Sequence, residues 1–180
     1  MADRATGAQR IDATVGGPPR PERAHYSGAI YGSMLAASVV VGAGAGAEGH
    51  YELSPLRLAA LLVATGLVFW LAHAYALLVG DRVHHGAIDR AEIGWVARHE
   101  WPLFQAALPP AAAALLFGLL GASNLAAGWA ALAVAVVGQV GWATFTTVRA
   151  GASGPLVLVT VLVNLVLGLL IVVLKVALQH

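Results

Sequence analysis

The sequence predicts an all-α integral membrane protein: a bundle of five transmembrane helices, N-terminus inside and C-terminus outside, with one short cytoplasmic interfacial helix. Three observations predict it. Of 180 residues, 59% are apolar and only 11% charged, with a mean hydropathy of +0.77, whereas a soluble domain carries about 25% charged residues. Four windows, 24–47, 58–80, 101–148 and 150–174, contain no Asp, Glu, Lys or Arg. A helix rises about 1.5 Å per residue and a hydrocarbon core is roughly 30 Å thick, so about 20 residues cross it. No stretch alternates apolar and polar residues over the roughly 9–11 positions that a barrel strand needs.

Residues 1–25 form a cytoplasmic tail in which Gly16, Gly17, Pro18, Pro19 and Pro21 stand among mixed charges. Such a segment cannot bury a core and reads as disordered. Residues 1–23 hold no apolar run of the signal-peptide kind, so the first span serves as its own uncleaved signal. A single domain then occupies 26–178. Its first span, 26–47, is rich in Gly, Ala and Val; Glu48, His50 and Glu52 mark a polar turn, and Pro55 stands where a helix opens. The second span is 56–80.

The polar segment 81–100 follows. Asp89 and Glu92 have the spacing of a capping box, and Ile88 and Ile93 that of a hydrophobic staple. They predict a helix over 90–100, lying at the interface or in solvent, that leads into the third span at Pro102. The charge-free window 101–148 would be about 72 Å long as one helix, more than twice the membrane's thickness. Gly121-Ala122-Ser123-Asn124 supplies turn chemistry at its middle. The window is therefore a hairpin of spans 101–120 and 125–148. Residues 151–155 break the chain again, and the fifth span is 156–174.

Orientation follows from the basic residues of the loops. With the N-terminus inside, Arg4, Arg10, Arg20, Arg23, Arg82, Arg90, Arg98 and Arg149 are cytoplasmic, against Arg57 and Lys175 outside. Lys175 is expected to snorkel to the outer surface. The location that follows is the cell membrane, multi-pass.

Polar groups within spans carry the functional signal, because lipid offers them no partner. His73, Gln105, Gln139 and Asn164 lie roughly 12, 8, 15 and 22 Å from the nearest cytoplasmic charge. Tyr75, Thr144, Thr146 and Thr147 add polarity on the same side. Histidine changes charge near neutral pH, which suits His73 to proton relay; a neutral histidine bonded between helices is the structural alternative. The two glutamines and Asn164 read first as interhelical hydrogen-bond glue. Pro109-Pro110 lacks two N–H groups, so a kink there frees the carbonyls of Gln105 and Ala106, either for coordination or as a purely structural bend. Gly28, Gly32 and Ala36, at four-residue spacing, predict close packing of the first span against a neighbour.

Other classes are excluded or left without candidates. Ten basic and nine acidic residues give no field for nucleic acid, and the absence of cysteine removes disulfides and thiolate chemistry. No His-Glu-x-x-His, Gly-x-Ser-x-Gly or phosphate-loop pattern occurs, so no catalytic residue is assigned and the chain is not expected to be an enzyme. His25, His84, His85 and His99 gather on the cytoplasmic side. Adjacent His84 and His85 diverge by about 100° on a helix, and a haem would need a second span histidine. No metal or cofactor is assigned. The expected partners are the bilayer and either further copies of the chain or another membrane protein. Two functions fit: a channel- or transporter-like element for protons or a small cation or solute, and a non-catalytic anchor or interaction subunit.

Overall fold

Helix ends fall at the polar breaks in a computed structural model of the chain, which describes residues 27–44, 53–85 and 89–178. Seven helices are present there: α1 (Ser27–Gly44), α2 (Pro55–His85), α3 (Arg90–His99), α4 (Trp101–Gln105), α5 (Leu108–Leu119), α6 (Asn124–Arg149) and α7 (Gly154–Leu178). Among the described residues there is no strand. The tail, the polar turn with Glu48 and His50, and Ile88 lie outside the described residues, so the tail and the staple are not addressed.

Among the described residues, four stretches are long and apolar enough to cross a membrane: Pro55–Gly80, Arg90–Leu119, Asn124–Arg149 and Gly154–Ala177; the apolar part of α1 is shorter, Gly28–Ala43. The chemistry of each terminus is local. Gly121 takes φ +75° and Gly151 φ +70°, the left-handed conformation that closes a helix with little strain only for glycine. Ser123 caps α6 by accepting from Ala126 N at 3.2 Å. Asp89 caps α3, its carboxylate accepting from Arg90 N at 2.6 Å.

The third span differs from its expected form. The helix breaks at Ala106–Ala107, where Ala106 N donates to Pro102 O (3.1 Å) and Ala107 N to Phe104 O (3.0 Å). Pro109 then falls in the first turn of α5, where a missing N–H costs nothing. The prolines thus begin a new helix instead of kinking an unbroken one. α3 forms where the capping signal places it. It packs on α2 and, with α4 and α5, belongs to the single 30-residue apolar stretch Arg90–Leu119.

α1 and α6 run together through the centre, with α2 and α5 on one flank and α7 on another. The core is built of Ala36, Ala37, Val40, Leu62, Ala114, Ala131, Leu132 and Ala135. Small residues let the backbones approach: a Cβ at Gly32 would lie 2.9 Å from Ala106 Cβ, one at Gly118 2.6 Å from Pro55 Cβ, and one at Gly168 2.6 Å from Val136 Cγ1. The close packing expected of Gly28 and Gly32 is therefore present, against α4.

The outside is as apolar as the inside. Only 11% of the most apolar window is buried in α2 and in α7, and Leu158, Leu162, Val166, Leu169, Leu170 and Val173 of α7 are each half exposed or more. Apolar surface on this scale is far beyond the few hundred Å² that a soluble monomer shows. The helices fit a multi-pass membrane protein.

Candidate functional site: a histidine–glutamate pair and a buried amide pair

Ionisable chemistry assembles where α1, α2 and the α3–α4 junction meet. Leu62, Gly66, Trp70 and His73 recur every three or four residues, so they form one stripe of α2. Gly66 of this stripe faces Phe104 and Ala107. Trp70 Nε1–H donates to Ala97 O at 3.0 Å, and its ring meets Trp101 edge-on with centroids 5.3 Å apart. His73 Nε2 lies 3.4 Å from Glu100 Oε2. The Glu100 side chain is 10% exposed and that of His73 45%. A Cβ on Gly28, in the first turn of α1, would lie 3.7 Å from the same carboxylate oxygen, which puts the carboxylate beside the positive end of that helix. His99, buried, stacks on Trp95 with ring centroids 4.5 Å apart.

Sequence reasoning did not foresee the burial of Glu100 against His73, because a charge at the edge of a span looks solvated. Its burial depends on α3 packing against α2, which composition does not reveal. The register of the packed helices is what pairs it: an antiparallel pair that sets Pro55 against Gly118 and Gly66 against Ala107 also sets His73 against Glu100.

Trp70 is the tie between α2 and α3. In Trp70→Phe the ring contact with Trp101 survives while the hydrogen bond is lost. The variant is expected to lose about 1 kcal/mol of stability, measured by unfolding in mixed micelles, with faster amide exchange in α3. Unaltered exchange there would show that the indole N–H does not hold α3 in place.

The polar residues of the spans do not form one layer. Gln139 is fully buried at 0% exposure and Asn164 is 9% exposed. Gln139 Nε2 is 3.4 Å from both the backbone oxygen and Oδ1 of Asn164, and Asn164 Nδ2 donates to Thr160 O at 2.9 Å. Gln139 Oε1 is buried and accepts no hydrogen bond from the described residues. Thr144 and Thr147 bond to carbonyls four residues back in their own helix, and Thr146 to one three back. Tyr75, at 68% exposure, Gln105 and Pro109 face outward, and Pro110 is buried.

Lys175 departs from its expected place at the outer surface. It is 4% exposed, with Nζ 5.4 Å from the centre of the Trp129 ring and 3.8 Å from the Cβ position of Gly128. Gly128 leaves room for the stem and the indole face attracts the cation. Among the described residues, no three His, Asp or Glu side chains converge as a metal site would require. A crevice between Gly32, Ala36, Leu62, Gly66, Leu103 and Ala107 has room for about one water.

No protein-family model matches this chain, and no curated protein or solved structure matches it significantly.

Proposed function

We propose that the chain is a transport element of the cell membrane that handles protons, with Glu100 and His73 as the exchanging pair. The observation that carries this reading is the 3.4 Å contact between a carboxylate that is 10% exposed and an imidazole that is 45% exposed. Both groups change charge by taking or losing one proton. A proton that leaves Glu100 turns the imidazole into an imidazolium, whose exposed side would pass it to water at the membrane surface, leaving a carboxylate that takes the next proton. The crevice beside α1 has room for about one water, which suits a proton better than a larger solute. The basic residues favour an orientation with the start of α1 and the ends of α2 and α6 in the cytoplasm. The pair then lies on the cytoplasmic side.

Proton flux into liposomes that contain the purified protein tests the proposal. Glu100→Gln and His73→Ala are each expected to lower flux about tenfold, which corresponds to removal of ~1.4 kcal/mol of stabilisation along the path. Arg57→Gln, at the opposite end, is expected to conduct as the parent does. Parental flux in both site variants would sink the proposal.

The exposed face of α3 supports a second reading, an interaction subunit. Ile93 is 46% and Trp95 59% exposed, and Arg90 and Arg98 stand on the same short helix. In that reading the His73–Glu100 contact only ties helices together, and Arg90→Ser with Arg98→Ser costs a bound partner while flux is absent from the parent.

A further inference from the structure

Gln105 stands midway along the 30-residue stretch Arg90–Leu119. Its neighbours Phe104 and Ala107 face Gly66, itself near the middle of Pro55–Gly80, so Gln105 lies at mid-depth of this helix pair. Gln139, of the same residue type, is buried; Gln105 is on the outer surface, and its side chain bonds to no described residue. An amide turned toward hydrocarbon has no partner there. The polar spot also includes backbone, because Pro109 lacks the N–H that the Gln105 carbonyl would accept from four residues ahead.

The surroundings of this amide have a pattern. Trp101 and Gln105 are exposed on α4 and, beyond the break at Ala106–Ala107, Leu108, Ala112, Leu115 and Leu119 on α5, with spacings of three or four within each helix. That is the spacing of a seam along which two helices pack, and a lone polar residue in such a seam fixes register and the number of strands. A primary amide has both donors and an acceptor. Two such amides related by a twofold axis satisfy each other, which a hydrocarbon surface or a purely apolar partner cannot do.

We propose that this face of α4 and α5 joins two copies of the chain, closed at mid-depth by reciprocal hydrogen bonds between their Gln105 side chains. The proposal requires the membrane setting but not proton handling, and its test reads association alone.

The chain has no cysteine, so single-cysteine variants of the full-length protein report contacts directly. In liposomes under mild oxidant, Ala112→Cys, which keeps Gln105 in place, is expected to form a covalent dimer. Val137→Cys on α6 and Leu169→Cys on α7, at positions 71% and 60% exposed, are expected to remain monomeric. With Ala112→Cys as reporter, adding Gln105→Leu should weaken association roughly three- to thirtyfold, the range for interhelical hydrogen bonds in membranes, and Gln105→Asn should restore part of it. Cross-linking at 137 or 169 but not at 112 would mean that the copies meet elsewhere. Monomers throughout would mean that they do not meet. Unchanged association in Gln105→Leu would remove the amide from the contact. Each of these three results overturns the proposal.

Discussion

Gly32→Ala is expected to cost about 2–3 kcal/mol of stability, although alanine is the better helix former by about 1 kcal/mol. The added methyl would lie 2.9 Å from Ala106 Cβ and 3.1 Å from the Leu103 carbonyl carbon, with the Leu103 oxygen nearer still. Backbone cannot turn aside as a side chain does, so α1 and α4 must separate. That separation loosens Leu103, which is 2% exposed, and reaches Glu100, which shares the α4 end of the contact through Gly28. Gly42→Ala, in the same helix, meets nothing within 4 Å and should be neutral or stabilising by up to about 1 kcal/mol. Unfolding of both variants in mixed micelles makes the comparison. Equal effects at the two positions would show that propensity, not the approach to α4, governs α1.

The same pair of helices marks what the sequence can and cannot convey. Small size is a property of the residue itself, so Gly28, Gly32 and Ala36 announce a close approach before any partner is known. The turn at 121–124 and its serine cap are local chemistry and are equally legible. What is not legible is rotational phase. Gln105 and Gln139 are the same residue at mid-span, yet one faces outward and the other is fully buried. Their helices are apolar nearly all round, so no hydrophobic stripe marks the inner face, and the partners decide it. Glu100 and Lys175 were obscure for a related reason. A charge near a helix end has water within reach on composition alone. Only the packing of α3 on α2, and of α7 beside Gly128 and Trp129, takes that water away.

The α6–α7 amide pair is expected to respond asymmetrically to removal of its two members. Val136 opposite Gly168 holds these helices close one turn from the pair, so the amides cannot move apart freely. Asn164→Leu removes Oδ1, one of the two acceptors of the fully buried Gln139 amide, while the backbone oxygen of residue 164 remains, and should cost about 1 kcal/mol, since a buried amide that loses part of its hydrogen bonding is not repaid by lipid. Replacement by leucine also perturbs Thr160, whose carbonyl accepts from Asn164 Nδ2. Gln139→Leu is different. It removes two contacts of 3.4 Å, long for hydrogen bonds, together with an oxygen that has no donor among the described residues. Leucine fills a similar volume, and Asn164 keeps its bond to Thr160 O. The expected change is within about 0.5 kcal/mol of the parent, toward greater stability. The double variant should resemble Gln139→Leu and not the sum of the two, because once Gln139 is gone Asn164→Leu takes no acceptor from α6. A double-mutant cycle in mixed micelles measures that coupling. Additive losses would mean that the two amides act independently, each paired with its own helix and not across the α6–α7 contact.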